Sequence, residues 1–173
     1  LITGAFHEDG LADMADGFGA GGSSEKINEI MHDSRLGTYG TIALILGFLI
    51  RLELVTNLAN QGYSLIVILC FGFASGKLAI IFMRNLYYTS SLAKTGSIIE
   101  TVSTKKILFA SLIWFVPVFS YLPFLAILSG TILMIIVVFF IGRMSRQKLD
   151  GITGDVLGAT AFLSELAFLF GLI

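Results

Sequence analysis

Polar and apolar blocks alternate along the chain at the length scale of a bilayer rather than that of a soluble core. Residues 1–40 are polar and glycine-rich, with a loop expected at 17–24, where Ser24 is placed to cap a helix continuing through Asn28 to His32. Residues 41–59 form a first apolar run broken by Arg51 and Glu53, residues 60–63 read as a tight turn, and residues 64–83 form a second run containing Lys77. Both approach the ~20 residues that cross a hydrocarbon core. After a polar stretch at 84–106, the apolar run 107–141 is too long for one crossing at ~1.5 Å per residue. Pro117 and Pro123, with Ser120 and Tyr121 between them, divide it into helices at 107–120 and 124–141. Polar residues 142–155 lead to a last span at 156–173, which carries Glu165. The pattern predicts an all-α, polytopic transmembrane helix bundle: five spans in one membrane domain, residues 1–173, with residues 1–40 as a metal-motif segment on the cytoplasmic face.

Composition sharpens that reading. Hydrophobic residues make up 55% of the 173, mean hydropathy is +0.89 and 13% are charged, which excludes an ordinary soluble domain. The single cysteine, Cys70, lies in an apolar run and excludes an internal disulfide or a cysteine-based metal site. Net charge is -1, yet seven of the twelve acids precede residue 34. The basic residues fall before the first span (Lys26, Arg35), between spans two and three (Arg84, Lys94, Lys105, Lys106) and between spans four and five (Arg143, Arg146, Lys148). Five spans place those three segments on one side, the cytoplasmic one by the positive-inside rule. The chain starts at Leu1 without a signal-like segment, and we expect that its N-terminus has been cut away.

Three acid-bearing glycine motifs lie on that side. In a helix over His7–Gly17, Asp9, Asp13 and Asp16 fall within roughly 60° of one another, a clustering that needs a compensating cation. Carboxylate oxygens suit Mg2+ or Mn2+, whereas the plain alternative is a solvated acidic helix. Gly10 and Gly17 leave room for a phosphate or a neighbouring helix. His7 reads as a structural residue. Around residues 30–40, Asp33 could add a ligand and Arg35 could fork onto a phosphate, or the segment is a juxtamembrane turn. In the third motif, Thr153 or Asp155 caps the last helix. Within the spans, Lys77 can snorkel, while Glu165 must be protonated or pair with Arg51 or Lys77.

Taken together, the motifs resemble the cobalamin synthase family, the adenosylcobinamide-GDP ribazoletransferases. The resemblance rests on Thr3-Gly4-Ala5-Phe6-His7-Glu8-Asp9-Gly10-Leu11-Ala12-Asp13 with Asp16-Gly17, on Asp33-Ser34-Arg35-Leu36-Gly37-Thr38-Tyr39-Gly40, and on Thr153-Gly154-Asp155-Val156-Leu157-Gly158-Ala159. It implies an Mg2+-dependent transfer in which a hydroxyl of alpha-ribazole, or of its 5'-phosphate, attacks the phosphate beside the aminopropanol arm of adenosylcobinamide-GDP and releases GMP. It assigns Asp9, Asp13 and Asp16 to metal, with Glu8 as a further candidate. Asp33 and Asp155 become ligands or the base, and Arg35 and Lys77 contacts for phosphate oxygens. Lys77 stands where the family leads one to expect Arg, Lys94-Thr95-Gly96 is a loose version of its basic loop, and Asp150 and Ile152 also depart from its pattern. Membrane lipid is an expected partner, nucleic acid is not, and a homo-oligomer is compatible with the sequence. A lipid-directed CDP-alcohol phosphotransferase is the alternative, with a divalent-cation transporter behind it.

Overall fold

In a computed structural model, residues 5–93 and 102–173 are described. Among them are seven helices: α1 (Phe6–Ala20), α2 (Ser24–Met31), α3 (Thr38–Asn60), α4 (Leu65–Leu86), α5 (Thr104–Tyr121), α6 (Phe124–Leu149) and α7 (Gly154–Gly171). No named strand occurs among the described residues; the β feature present is an isolated parallel bridge between Thr89 and Ile152. The all-α transmembrane expectation holds. The basic stretch around Lys94-Thr95-Gly96 lies outside the described residues.

Four helices, α3, α4, α6 and α7, are long and apolar enough to cross a membrane. Five were expected; the fifth, at 107–120, falls in α5, an 18-residue helix that carries Lys105 and Lys106 in its first turn and leads from the end of α4 to the start of α6. Of the two prolines, Pro117 is carried inside α5, and Pro123 makes the break by standing as the N-cap of α6, where no helical N–H is lost. α6 continues through Arg143, Arg146 and Lys148, so the expected loop 142–155 contracts to a turn at 150–153. Ser23, not Ser24, caps α2, its side chain accepting from the Lys26 N–H at 3.3 Å.

α7 is the axis of the bundle. Two thirds of its span (67%) is buried, against 17% for α3, and α1, α4 and α6 pack round it. Phe162 and Phe168 are fully enclosed, Phe168 lying edge-on to Trp114 at 5.1 Å between centroids. α3, α5 and α6 turn broad apolar faces outward, including Ile45, Leu49, Leu112, Ile113, Ile136 and Phe140, as lipid-facing helices do.

α1 is placed differently from the surface helix its acids suggest. Leu11, Ala12 and Met14 are buried, and α1 packs along α7 and α3. Gly10 and Gly158 allow that approach: a Cβ on Gly10 would lie 2.5 Å from the Asp155 carbonyl oxygen, and one on Gly158 3.0 Å from that of Phe6. The room these glycines leave is filled by a neighbouring helix.

Candidate active site

The start of α3, the end of α4, the end of α6 and the start of α7 meet at one end of the bundle. The turn before α7 is tied there by four hydrogen bonds. Ser90 N–H donates to the Ile152 carbonyl (3.0 Å) and Ile152 N–H to that of Tyr88 (2.9 Å). The Ser90 hydroxyl donates to the Leu149 carbonyl (2.6 Å) and the Ser145 hydroxyl to that of Gly151 (2.5 Å). Asp150 takes up a left-handed conformation, φ 54°, to make the turn. Thr153, not Asp155, caps α7, its hydroxyl oxygen accepting from the Val156 N–H at 3.4 Å. Asp155 is thereby left in the first turn of α7, facing a cavity of about 960 Å3.

That cavity collects most of the residues singled out in the sequence. α1 contributes Glu8, Asp9 and Asp13; the α2–α3 connection contributes Asp33 and Arg35; α7 contributes Asp155. Leu44 and Phe48 of α3 give it an apolar wall. Asp13 is the electrostatically strained member. Burial pushes its carboxyl up to about 7, and the negative charges of Asp9, Asp155 and Asp16 push the same way. At the rim, Arg35 grips Asp33 with its Nη2 at 2.6 Å and its Nε at 3.0 Å, and its guanidinium holds the Asp33 carboxyl down at about 2.

Asp16 and Lys77 lie outside this cavity. Both Asp16 oxygens accept backbone N–H groups at 2.8 Å, from Gly37 and Gly40. α3 has no side-chain cap of its own, so Asp16 supplies one from α1. A Cβ at either glycine would collide with the Asp16 carboxylate, which accounts for both glycines in the second motif. Lys77 donates from Nζ to Nε2 of His7 at 2.6 Å. Burial first, and then Lys77, hold the His7 imidazole below its usual value. Glu8 lines the cavity but accepts from Arg51 at 3.1 Å, and Glu165 accepts from the same guanidinium at 2.9 Å. The pairing foreseen for Glu165 is with Arg51. That of Glu8, 43 positions from Arg51, left no local signal in the sequence. Ser90 and Ser145 were also missed, because buried serines in polar segments follow no spacing rule.

Among the described residues no three His, Cys, Asp or Glu side chains close on a point as a ready-made metal cage. A substrate-shared Mg2+ needs no such cage: it is held by one or two carboxylates, with phosphate and water oxygens completing its shell. Asp9 and Asp13, one helical turn apart and facing the same space as Asp155, provide hard oxygen donors of that kind, and Asp13 carries the excess negative charge that a cation would relieve.

Fold and site together define a multi-pass membrane protein with an acid-lined cavity at one end of its bundle. A family model described as cobalamin-5-phosphate synthase matches residues 1–173. Adenosylcobinamide-GDP ribazoletransferases are similar over the whole chain: 34% identity to the protein of Ralstonia pickettii, 36% to that of Clostridium botulinum strain Langeland and 35% to that of Azorhizobium caulinodans. The match covers 68%, 69% and 67% of those relatives. No solved structure matches. The chain belongs to the cobalamin-5-phosphate synthase family, a family of cobalamin-forming enzymes.

Proposed function

We propose that this chain carries out the transfer named for its relatives, joining adenosylcobinamide-GDP to alpha-ribazole or its 5'-phosphate and releasing GMP. A hydroxyl oxygen of the ribazole forms a bond to the phosphorus next to the aminopropanol arm. The bond from that phosphorus to the oxygen of the departing GMP breaks, and the hydroxyl proton passes to a carboxylate of the site. The observation that carries the reading is the concentration of Asp13, Asp9 and Asp155 in one cavity, with the Asp13 carboxyl pushed up to about 7. Phosphoryl transfer asks the protein mainly to place its reactants and balance charge, and this cavity is built for both. Bound Mg2+ would neutralise charge on the pyrophosphate oxygens.

The chain's own groups have separable tasks. Asp9 and Asp13 would hold the cation. Arg35, at the rim and turned by Asp33, meets phosphate oxygens of the substrate. Asp33, held at about 2 by that arginine, is a poor proton acceptor and serves as the anchor, which leaves Asp155 as the base. Leu44 and Phe48 face the less polar part of the substrate. The basic residues Arg35, Arg84, Arg143, Arg146 and Lys148 gather at the cavity end of the bundle, which supports a cytoplasmic site in a prokaryotic inner membrane. Family membership sets this reading above a lipid phosphotransferase or a cation carrier. The test is release of labelled GMP from adenosylcobinamide-GDP in the presence of alpha-ribazole, with and without Mg2+. Mg2+-dependent release that requires both substrates is expected. Absence of release from inserted, folded protein overturns the reading.

A further inference from the structure

Away from the cavity mouth, four helices bring ionisable side chains to one place: His7 and Glu8 from α1, Arg51 from α3, Lys77 from α4 and Glu165 from α7. Arg51 is at the centre. One of its amino groups donates to Glu8 at 3.1 Å and the other to Glu165 at 2.9 Å, and the three side chains are 15%, 17% and 3% exposed. Its guanidinium stacks on Phe162 at 4.2 Å from the ring centroid, with Phe48 and Phe73 at 5.8 and 5.6 Å. A cation inside a membrane helix is costly unless paired, and this one is paired twice. With His7 neutral, Lys77 and Arg51 balance Glu8 and Glu165. The formal charges of the set balance.

We infer that Arg51, clamped between Glu8 and Glu165, is a positioning residue that fixes the rotation of α1 so that Asp9 and Asp13 face the cavity. This rests on the reading of that cavity as a metal and phosphate site. Three observations lead to it. α1 has no side-chain cap, since Ala5 precedes it in a left-handed conformation and offers no acceptor. Its first turn is held instead by two cations from other helices, Arg51 on Glu8 and Lys77 on His7. Glu8 is followed directly by Asp9, so a turn of the helix that moves one moves the other. The far end of α1 is fixed independently, by Asp16 on Gly37 and Gly40. Two anchors set both ends of a helix whose middle carries Asp13. Arginine is required because only a planar fork serves two carboxylates and a ring face at once; lysine offers a single point charge.

The test uses the intact protein in nanodiscs and two readouts independent of turnover. The first is Mn2+ binding followed by EPR. Arg51→Met should weaken it by ~10-fold or more, the range seen when groups supporting metal ligands are removed. Arg51→Lys should recover part of the loss, and Glu53→Gln on the same helix should leave affinity unchanged. The second is maleimide labelling of Asp13→Cys in a Cys70→Ser background. Adding Arg51→Met should change the labelling rate in protein that keeps its helix content by circular dichroism. If folded Arg51→Met binds Mn2+ with wild-type affinity and its cysteine reacts at the wild-type rate, the positioning role is wrong. Should Arg51→Met fail to insert, Arg51→Lys and Glu8→Gln decide by the same criteria. Wild-type protein that binds Mn2+ but releases no GMP would remove the proposed reaction and leave the clamp standing. If it binds no Mn2+, the labelling arm alone decides.

Discussion

Asp13 and Asp16 stand three positions apart on one helix and meet opposite surroundings. Asp16 is 9% exposed, with an N–H on each oxygen and the positive end of α3 before it. Asp13 is crowded by Asp9, Asp155 and Asp16, and its carboxyl rises to about 7. The sequence presents them as equivalent members of an acidic stripe. Their surroundings separate a carboxylate that holds the fold together from one that the fold holds under strain, and strain of that sort is a feature of functional sites.

The sharpest way to break this comparison is to neutralise each residue in turn. Asp13→Asn should lower GMP release by ~100-fold or more, as loss of a group stabilising transition-state charge does. The same change should raise the melting temperature of the metal-free protein at pH 7.5, by ~2–4 °C for each kcal/mol of relieved repulsion. A variant that stays active, or that melts lower, would show that Asp13 is not the strained member. Asp16→Asn should act the other way. An amide places a donor where an acceptor is needed at Gly37 or Gly40, and ~1–3 kcal/mol of stability should be lost in chemical denaturation. In the protein that remains folded, the Mg2+ half-saturation should rise only as far as the loosened anchor lets α1 turn, well short of the effect of Asp13→Asn, and an equal effect would make Asp16 a ligand after all.

Titration sharpens the same contrast. The folded Asp13 carboxyl sits at about 7 against an ordinary 3.8, so between those limits the folded chain holds a proton that the unfolded chain has released. Its contribution to stability is present below the lower value and is lost as pH rises through about 7. Metal-free protein should therefore melt lower at pH 7.5 than at pH 5.5 by an increment that Asp13→Asn removes. Proton and cation compete for that carboxylate, so the Mg2+ concentration for half activity should rise as pH falls from 8 to 6, by at most ~10-fold per pH unit for one proton. The smallest effect belongs to a cap away from the cavity. Ser23→Ala should cost ~1 kcal/mol through the first turn of α2 and leave Mg2+ dependence alone.

Long apolar runs made α3, α4, α6 and α7 legible in the sequence, and Pro123 marked the break before α6 because its ring disfavours a helical residue before it and Leu122 is extended. The cavity was legible as far as residue type goes: Asp9, Asp13, Asp33, Arg35 and Asp155 do meet. Apart from Glu165 with Arg51, individual partners were not. Asp16 acts on residues 21 and 24 positions away, Lys77 on one 70 positions away, and such separations leave no periodic trace. The inward packing of α1 was hidden for another reason. Its buried face is made of Gly10, Leu11, Ala12 and Met14, small or single apolar residues scattered among acids, which reads as a polar helix until a partner is present.

The stitch between Tyr88–Ser90 and the turn at 151–152 has a mechanical consequence. Ile152 is three residues from Asp155 and is bonded on both its N–H and its carbonyl to the segment Tyr88–Ser90 that leaves α4. A load applied to the chain beyond α4 is transmitted through that seam to the first turn of α7. Tyr88 and Ser90 are thus geared to the carboxylate that would take the proton, and a change at either would reach the reacting atoms without entering the cavity.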